Sequence, residues 1–374
     1  MKVYLDNNAS TPIDPLVIKE MEPYINEFYG NPSSGHWLGK KGRGAIENSR
    51  NQVAKLIGAK PKEIIFTSGG SESNNMALKG IAFAYRKKGS HIITSVIEHP
   101  AIINPCKYLE ANGFKVTYVG VERDGRVNPK DIEEVMTDET ILVSIMHANN
   151  ETGTTQPIAD ISKICKKKVI YFHTDAAQTV GKIRVDVDDL GIDMLSIAGH
   201  KFYASKGIGA LYIKEGVEVE SLIHGANHEM GKRAGTENVP GIVGLGKASQ
   251  IASENMNEYN KKVSYLRDLL HEKLKSIART NLNGHPKERL PNTLNLSFTG
   301  IDSSQMLSKL EDIALSTGSA CHDSVREPSA VLTEMGITRE LALGAVRFSL
   351  GRFNTEKEIN YVVDEIKKLL EIRT

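Results

Sequence analysis

Six short apolar runs, rich in β-branched residues, punctuate the first two hundred positions of the chain. They are Ile64-Ile65-Phe66-Thr67, His91-Ile92-Ile93-Thr94-Ser95-Val96, Lys115-Val116-Thr117-Tyr118-Val119, Ile141-Leu142-Val143-Ser144-Ile145-Met146, Val169-Ile170-Tyr171-Phe172 and Met194-Leu195-Ser196-Ile197. Apolar residues on both faces predict central strands of a sheet covered on two sides. Between the first two runs, Ala77, Ile81, Ala84 and Tyr85 fall on one face of a helix. Strand, helix, strand repeated in this way predicts an α/β fold with a mostly parallel sheet.

From about Asn255 the texture changes. Val263, Leu266, Leu270 and Leu274 sit at helical spacing within a charged stretch, and Asn292 to Phe298 alternates like a strand. This predicts a second, smaller α+β domain, which a chain of 374 residues is long enough to hold.

Composition narrows the classes. Lys plus Arg is 47 and Asp plus Glu is 46, a net charge of +1 that gives no footprint for nucleic acid. The Lys166-Lys167-Lys168 cluster reads as a solvated helix end. No apolar stretch has the length of a signal peptide core or a membrane span, so the expectation is a soluble, cytoplasmic protein. Three cysteines, Cys106, Cys165 and Cys321, cannot make a dense disulfide framework and match no zinc-ligand spacing. Cys106 and Cys165 have apolar neighbours and read as inert core residues.

The polar residues that follow these runs carry the chemistry. Met194 to Ala198 leads into Gly199-His200-Lys201. A lysine desolvated at the mouth of a sheet has a lowered pKa and a nucleophilic amine, suited to a Schiff base with an aldehyde cofactor; the plain alternative is a surface lysine. Asp175, in the segment His173 to Gln178 at the strand end before it, either pairs with a protonated pyridine nitrogen, as pyridoxal phosphate requires, or caps the next helix. Ser68-Gly69-Gly70-Ser71 opens the helix that carries Ala77. It is either simple turn punctuation or a phosphate cradle made of free helix amides. His99 and Asn150 follow two further runs. All of these fall where an open α/β sheet binds its ligand, at the carboxyl ends of its strands. Far downstream, Ser319-Ala320-Cys321-His322-Asp323 reads as an exposed loop whose thiol, beside an imidazole, can form thiolate.

These segments, in this order, resemble the cysteine desulfurases of the NifS/IscS type, fold type I enzymes that use pyridoxal 5'-phosphate (PLP). Tyr4-Leu5-Asp6-Asn7-Asn8-Ala9, Gly30-Asn31-Pro32-Ser33-Ser34, Arg233-Ala234-Gly235-Thr236-Glu237-Asn238 and Val346-Arg347-Phe348-Ser349 extend the resemblance along the chain. It implies a large PLP domain over residues 13–257, with a mostly parallel seven-stranded sheet covered by helices. Residues 1–12 and 258–374 would form the small domain. Lys201 would be the Schiff-base lysine. Asp175 would face the pyridine nitrogen, Gln178 the ring hydroxyl and His99 the ring face. Gly70, Ser71 and His200 would hold the phosphate, and Thr236 the phosphate of a partner subunit, making a homodimer. Asn150 and Arg347 would bind the substrate carboxylate. Cys321 would take sulfur from L-cysteine as a persulfide, releasing alanine, and pass it to an acceptor such as an iron–sulfur scaffold protein. Ala198 stands where many desulfurases have serine. Ser319-Ala320-Cys321-His322 and Ala198 also resemble selenocysteine lyases, which would act on L-selenocysteine instead. A non-catalytic relative serving as a binding module is the remaining alternative.

Overall fold

The computed structural model describes residues 1–317 and 327–371. Its strands, in chain order, are β1 (Val3–Tyr4), β2 (Ile64–Thr67), β3 (His91–Ser95), β4 (Lys115–Val119), β5 (Thr140–Ser144), β6 (Tyr171–Asp175), β7 (Met194–Ala198), β8 (Gly209–Ile213), β9 (Thr280–Leu282), β10 (Thr293–Phe298), β11 (Ile313–Ala314) and β12 (Ala345–Ser349). Seven of them form one sheet in the order β2-β8-β7-β6-β5-β3-β4. β8 runs antiparallel to both of its neighbours, β2 and β7, and the remaining pairs are parallel. The chain is thus an α/β protein of the expected class.

Alternation along each strand sends side chains to opposite faces. Phe66, Ile93, Val143, Leu195, Ile197 and Tyr212 pack on one side, with residues of the helices Trp37–Ile57 and Ile158–Lys167. Ile65, Ile92, Leu142, Met194, Leu211 and Ile213 pack on the other, with the helices Gly70–Ala84 and Pro100–Ala111. Both faces are therefore dry, which is why these strands read as continuous apolar runs.

Three details differ from the sequence reading. β4 is an edge strand in which only Val119 is buried, because nothing pairs beyond it. The Val169 run starts later than its composition suggests. Val169 itself turns at φ +58° and is 90% exposed, and β6 begins at Tyr171. The β8 segment, behind Gly207, is a fully buried strand that the series of runs did not include.

The helix Val239–Ile277 passes from this core to another. Val239 to Ala252 contribute to the sheet's core, whereas Val263, Leu266, Leu270 and Leu274 join a second one. That second core includes Leu294, Leu296, Val346 and Phe348 from the antiparallel sheet β12-β10-β9, and Ile359, Val362 and Ile366 from the helix Glu356–Glu371. Val3 and Leu5 belong to it too, so the N-terminal segment packs with the C-terminal one. This brings Asp6 and Asn8 to the ends of the large sheet's strands. No helix among the described residues is long and apolar enough to cross a membrane.

Candidate active site

The carboxyl ends of β2, β3, β5, β6 and β7 open on a cavity of about 410 Å³. Gly70, Ser71 and His200 line one part of it, and Asp175, Gln178 and Lys201 its floor. His99, Asn150 and Arg347 complete the wall. The structure therefore brings nine of the eleven sequence-derived candidates around one space. Thr236 is not among them: it is exposed, and lines a separate hollow with Ser68 and Arg233. Cys321 and His322 lie outside the described residues.

β7 ends at Ala198 and turns at once into a short 3-10 helix, Gly199–Lys201. That turn is pinned to the N-terminal segment. Thr11 donates from its backbone N and its hydroxyl to the His200 carbonyl, at 2.9 and 3.0 Å, and the Tyr203 N–H donates to the Thr11 hydroxyl. Lys201 consequently projects into the cavity and donates from Nζ to the carbonyls of Asn8 (2.8 Å) and Ala9 (2.9 Å). Burial, aided by the positive Arg347, lowers its pKa to about 8, against the opposing pull of Asp175 and Asp6. An amine so poised is largely a nucleophile at mildly alkaline pH.

Asp175 ends β6 with its carboxylate held on both oxygens. Oδ1 accepts from the Ala177 N–H at 2.9 Å and Oδ2 from Asn74 Nδ2 at 2.7 Å. The capping and ligand-facing readings of this residue are thus compatible, since one oxygen fixes the following turn while the residue lines the cavity. Asn74 stands one turn inside the helix Gly70–Ala84, and its own Oδ1 is buried without a partner among the described residues. That helix starts after Gly69, whose φ of +148° only glycine adopts readily. Its first amides face the cavity through Gly70 and Ser71.

His99 caps the helix Pro100–Ala111, accepting from Ala101 N on its Nδ1 at 3.0 Å. The proton of the neutral ring is then on Nε2. Burial lowers its pKa, as does Lys201, while Asp175 pulls the other way. Burial and three lysines likewise lower His200 to about 4, so it offers an uncharged N–H to an anion. Beneath His99, the buried Glu98 accepts from Ser95 Oγ and Met146 N–H. It thereby ties the ends of β3 and β5 together.

Arg347 reaches the same space from β12, in the second core. Its Nη2 donates to Asp6 Oδ1 at 2.7 Å and its Nη1 to the Asn150 carbonyl at 3.0 Å; its buried Nε has no partner among the described residues. Gln178 donates from Nε2 to the Asn8 carbonyl. Sequence reasoning gave no role to Asn8, Asn74 or Lys182. Asn8 bonds Lys201, Gln178, Lys182, Asn150, Asn292, Thr293 and Ser349, contacts spanning up to 341 positions that leave no local pattern. Cys106 and Cys165 are buried, and burial pushes both thiols up to about 12, beyond ready thiolate formation. Among the described residues no cluster of His, Cys, Asp or Glu gathers to hold a metal.

The donor set fits PLP. A low-pKa amine stands ready for an aldehyde, a fixed buried carboxylate for a ring nitrogen, and a helix N-terminus for a phosphate. The comparisons agree with the geometry. The model of the family "Aminotransferase class-V" matches residues 3–362. A curated relative from Dictyoglomus turgidum, a cysteine desulfurase IscS, is 51% identical over 99% of this chain and 95% of its own. Among solved structures, a NifS-like protein superposes at TM-score 0.94 with 41% identity, over the whole of both chains. SspA in complex with cysteine superposes at 0.85 with 39% identity, over 95% of this chain and 100% of its own.

Proposed function

This chain belongs to the class-V aminotransferase family and is an enzyme, a cysteine desulfurase, and from that premise we propose how its residues divide the work. The observation that carries the reading is the convergence of Lys201, Asp175 and the amides at Gly70 and Ser71 on one cavity.

PLP would be held by Lys201 through its aldehyde, by Asp175 at the ring nitrogen, by Gln178 at the ring hydroxyl and by His99 on the ring face. Gly70, Ser71 and His200 would take its phosphate. When bound, it supplies an electron sink for the substrate α-carbon. The protein supplies orientation and proton transfer. Asn150 and the Arg347 guanidinium would hold the carboxylate of L-cysteine, a group that suits an arginine fork. Lys201, with a pKa of about 8, can both give and take a proton near neutrality. His99 offers Nε2, since Nδ1 is occupied by Ala101 N–H.

Cys321 would be the sulfur acceptor. Its thiolate attacks the substrate sulfur, the carbon–sulfur bond breaks, and the carbon fragment leaves as alanine after protonation. The product on the enzyme is a cysteine persulfide, so sulfur and electrons balance without an external oxidant. Delivery to a persulfide-accepting protein, such as an iron–sulfur scaffold, would regenerate the thiol. The exposed Thr236, in a hollow separate from its own chain's cavity, would reach the phosphate in a partner subunit and make the active unit a homodimer. The second core would then serve as a small domain that brings Arg347 over the cofactor.

The test uses purified holoprotein with L-cysteine. Alanine should form, and peptide mass analysis should find one added sulfur on the Cys321 peptide. Cys321→Ala should keep the cofactor's visible absorbance and form no persulfide. Negligible alanine from L-cysteine with rapid release of selenium from L-selenocysteine would replace this reading by a selenocysteine lyase. A protein that stays colourless after PLP is added would remove the enzyme assignment to these residues.

A further inference from the structure

Lys182 is unused by the reading above. It lies in the turn after β6, four residues beyond Gln178, between the main cavity and a smaller one of about 40 Å³ that it helps to line. Its amine donates to Gln178 Oε1 at 2.8 Å and to Asn8 Oδ1 at 3.1 Å. Burial lowers its pKa well below the usual lysine value, and Lys201 and Arg347, both of its own sign, add to that. A deep amine with two amide oxygens for company and, among the described residues, no carboxylate is a costly choice for simple packing.

We propose that Lys182 is a positioning residue for the desulfurase reaction: it fixes which way the Gln178 and Asn8 amides face and, through the Asn8 carbonyl, where the Lys201 amine stands. A side-chain amide has a donor end and an acceptor end of nearly equal shape, so its partners decide its orientation. Lys182 presents donors to both. Gln178 must turn Oε1 toward it, leaving Nε2 for the Asn8 carbonyl at 3.0 Å. That same carbonyl accepts from Lys201 Nζ at 2.8 Å. Asn8 must turn Oδ1 toward Lys182 and Asn292, leaving Nδ2 for the Asn150 carbonyl and Thr293 Oγ1. The Asn150 carbonyl in turn receives Arg347 Nη1. One amine thus specifies the orientation of a network that touches Lys201, Gln178, Asn150 and Arg347.

The inference rests on the desulfurase reading for its reaction, so its test includes a readout free of cofactor and substrate. Lys182→Met keeps the stem and removes the donor; Lys182→Arg keeps donors. In the holoenzyme, the methionine variant should lower kcat by about 10- to 100-fold, the scale of a small misplacement of reacting groups. KM for L-cysteine should stay within about threefold, and the arginine variant should recover part of kcat. In the protein stripped of PLP, reductive methylation of Lys201 should reach half-labelling at a pH displaced by about half a unit or more, the size of one lost weak hydrogen bond. Native kcat and an unmoved labelling midpoint in Lys182→Met would overturn the proposal. Equal losses in the methionine and arginine variants would overturn it too, since they would assign Lys182 to packing. Should Lys182→Met fail to fold, Lys182→Gln is expected to show the same displacement. If the native protein makes no alanine, the functional reading fails while the labelling result still decides the role of Lys182.

Discussion

The side-chain amide of Asn74 donates to the Asp175 carboxylate at 2.7 Å, with both groups buried. Asn74 belongs to the helix whose first amides line the cavity at Gly70 and Ser71, and Asp175 ends β6 on the cavity floor. One helical turn therefore links the helix N-terminus at the cavity to its carboxylate, and sets their separation.

Asn74→Ala should consequently weaken PLP binding without touching any group that faces the cofactor's reactive end. A hydrogen bond to a charged group is worth about 1.5–3 kcal/mol, so affinity should fall on the order of 10- to 100-fold. Titration of the stripped protein with PLP, followed by its visible absorbance, measures this. Unchanged affinity would show that Ala177 N–H alone is enough to hold Asp175.

As the proposed Schiff-base lysine, Lys201 should set the pH dependence of cofactor capture. Its pKa is lowered to about 8 by burial and by Arg347, so the neutral amine accumulates as pH rises toward that value. The rate at which the stripped protein captures PLP should rise about tenfold from pH 6 to 7 and level off above about 8. An unperturbed lysine would keep gaining toward pH 10. Arg347→Met removes a like charge and should move the bend to higher pH. A bend unmoved by that change would mean that burial alone lowers Lys201.

The strands were legible because both faces of the sheet are covered, so Ile64–Thr67 and Met194–Ile197 read as apolar runs within the observed strands. Position within the sheet was not legible. Lys115–Val119 has a strand's composition, but nothing in its periodicity says that it lies at an edge. Val169 misled because a β-branched residue occupies a left-handed turn there, held by a Val169 N–H bond to the Lys166 carbonyl. Lys201 and Asp175 were legible because each directly follows or ends a strand. Asn8 and Lys182 were not, since their partners lie up to 341 positions away in sequence or derive meaning only from such a partner.

A second buried pair governs stability rather than chemistry. Arg50 Nη1 and Nη2 grip the two carboxylate oxygens of Glu229 at 2.8 and 3.0 Å, and Nη1 also reaches the Ile64 carbonyl. Glu229 Oε2 in turn accepts from Phe66 N–H. Glu229 and Met230 stand at φ +46° and +56°, a conformation that non-glycine residues hold only under restraint. Arg50→Met would leave Glu229 charged and buried, and should cost about 3–5 kcal/mol. Urea unfolding of the native and variant proteins checks this, and a loss below about 1 kcal/mol, the scale of a surface pair, would contradict it.

Glu98 gives stability a pH dependence of unusual sign for a carboxyl group. Burial pushes it up to about 8, and the hydrogen bonds from Met146 N–H and Ser95 Oγ only partly offset that; Asp175 adds to the rise. Its Oε2 is buried without a partner among the described residues. In the unfolded chain the same group ionises near about 4.3. Between these values the folded protein keeps a proton that the unfolded chain has lost. Stability therefore falls as pH rises from about 4.3 through 8, because the native state binds the extra proton. Glu98→Gln keeps the size and the neutral form, and removes the titration. The thermal midpoint of the native protein should thus drop relative to that of Glu98→Gln as pH is raised from 5 to 8.5 in matched buffers. Parallel curves would mean that Glu98 is already ionised in the fold, with its charge met by a group that the hydrogen bonds at Oε1 do not include.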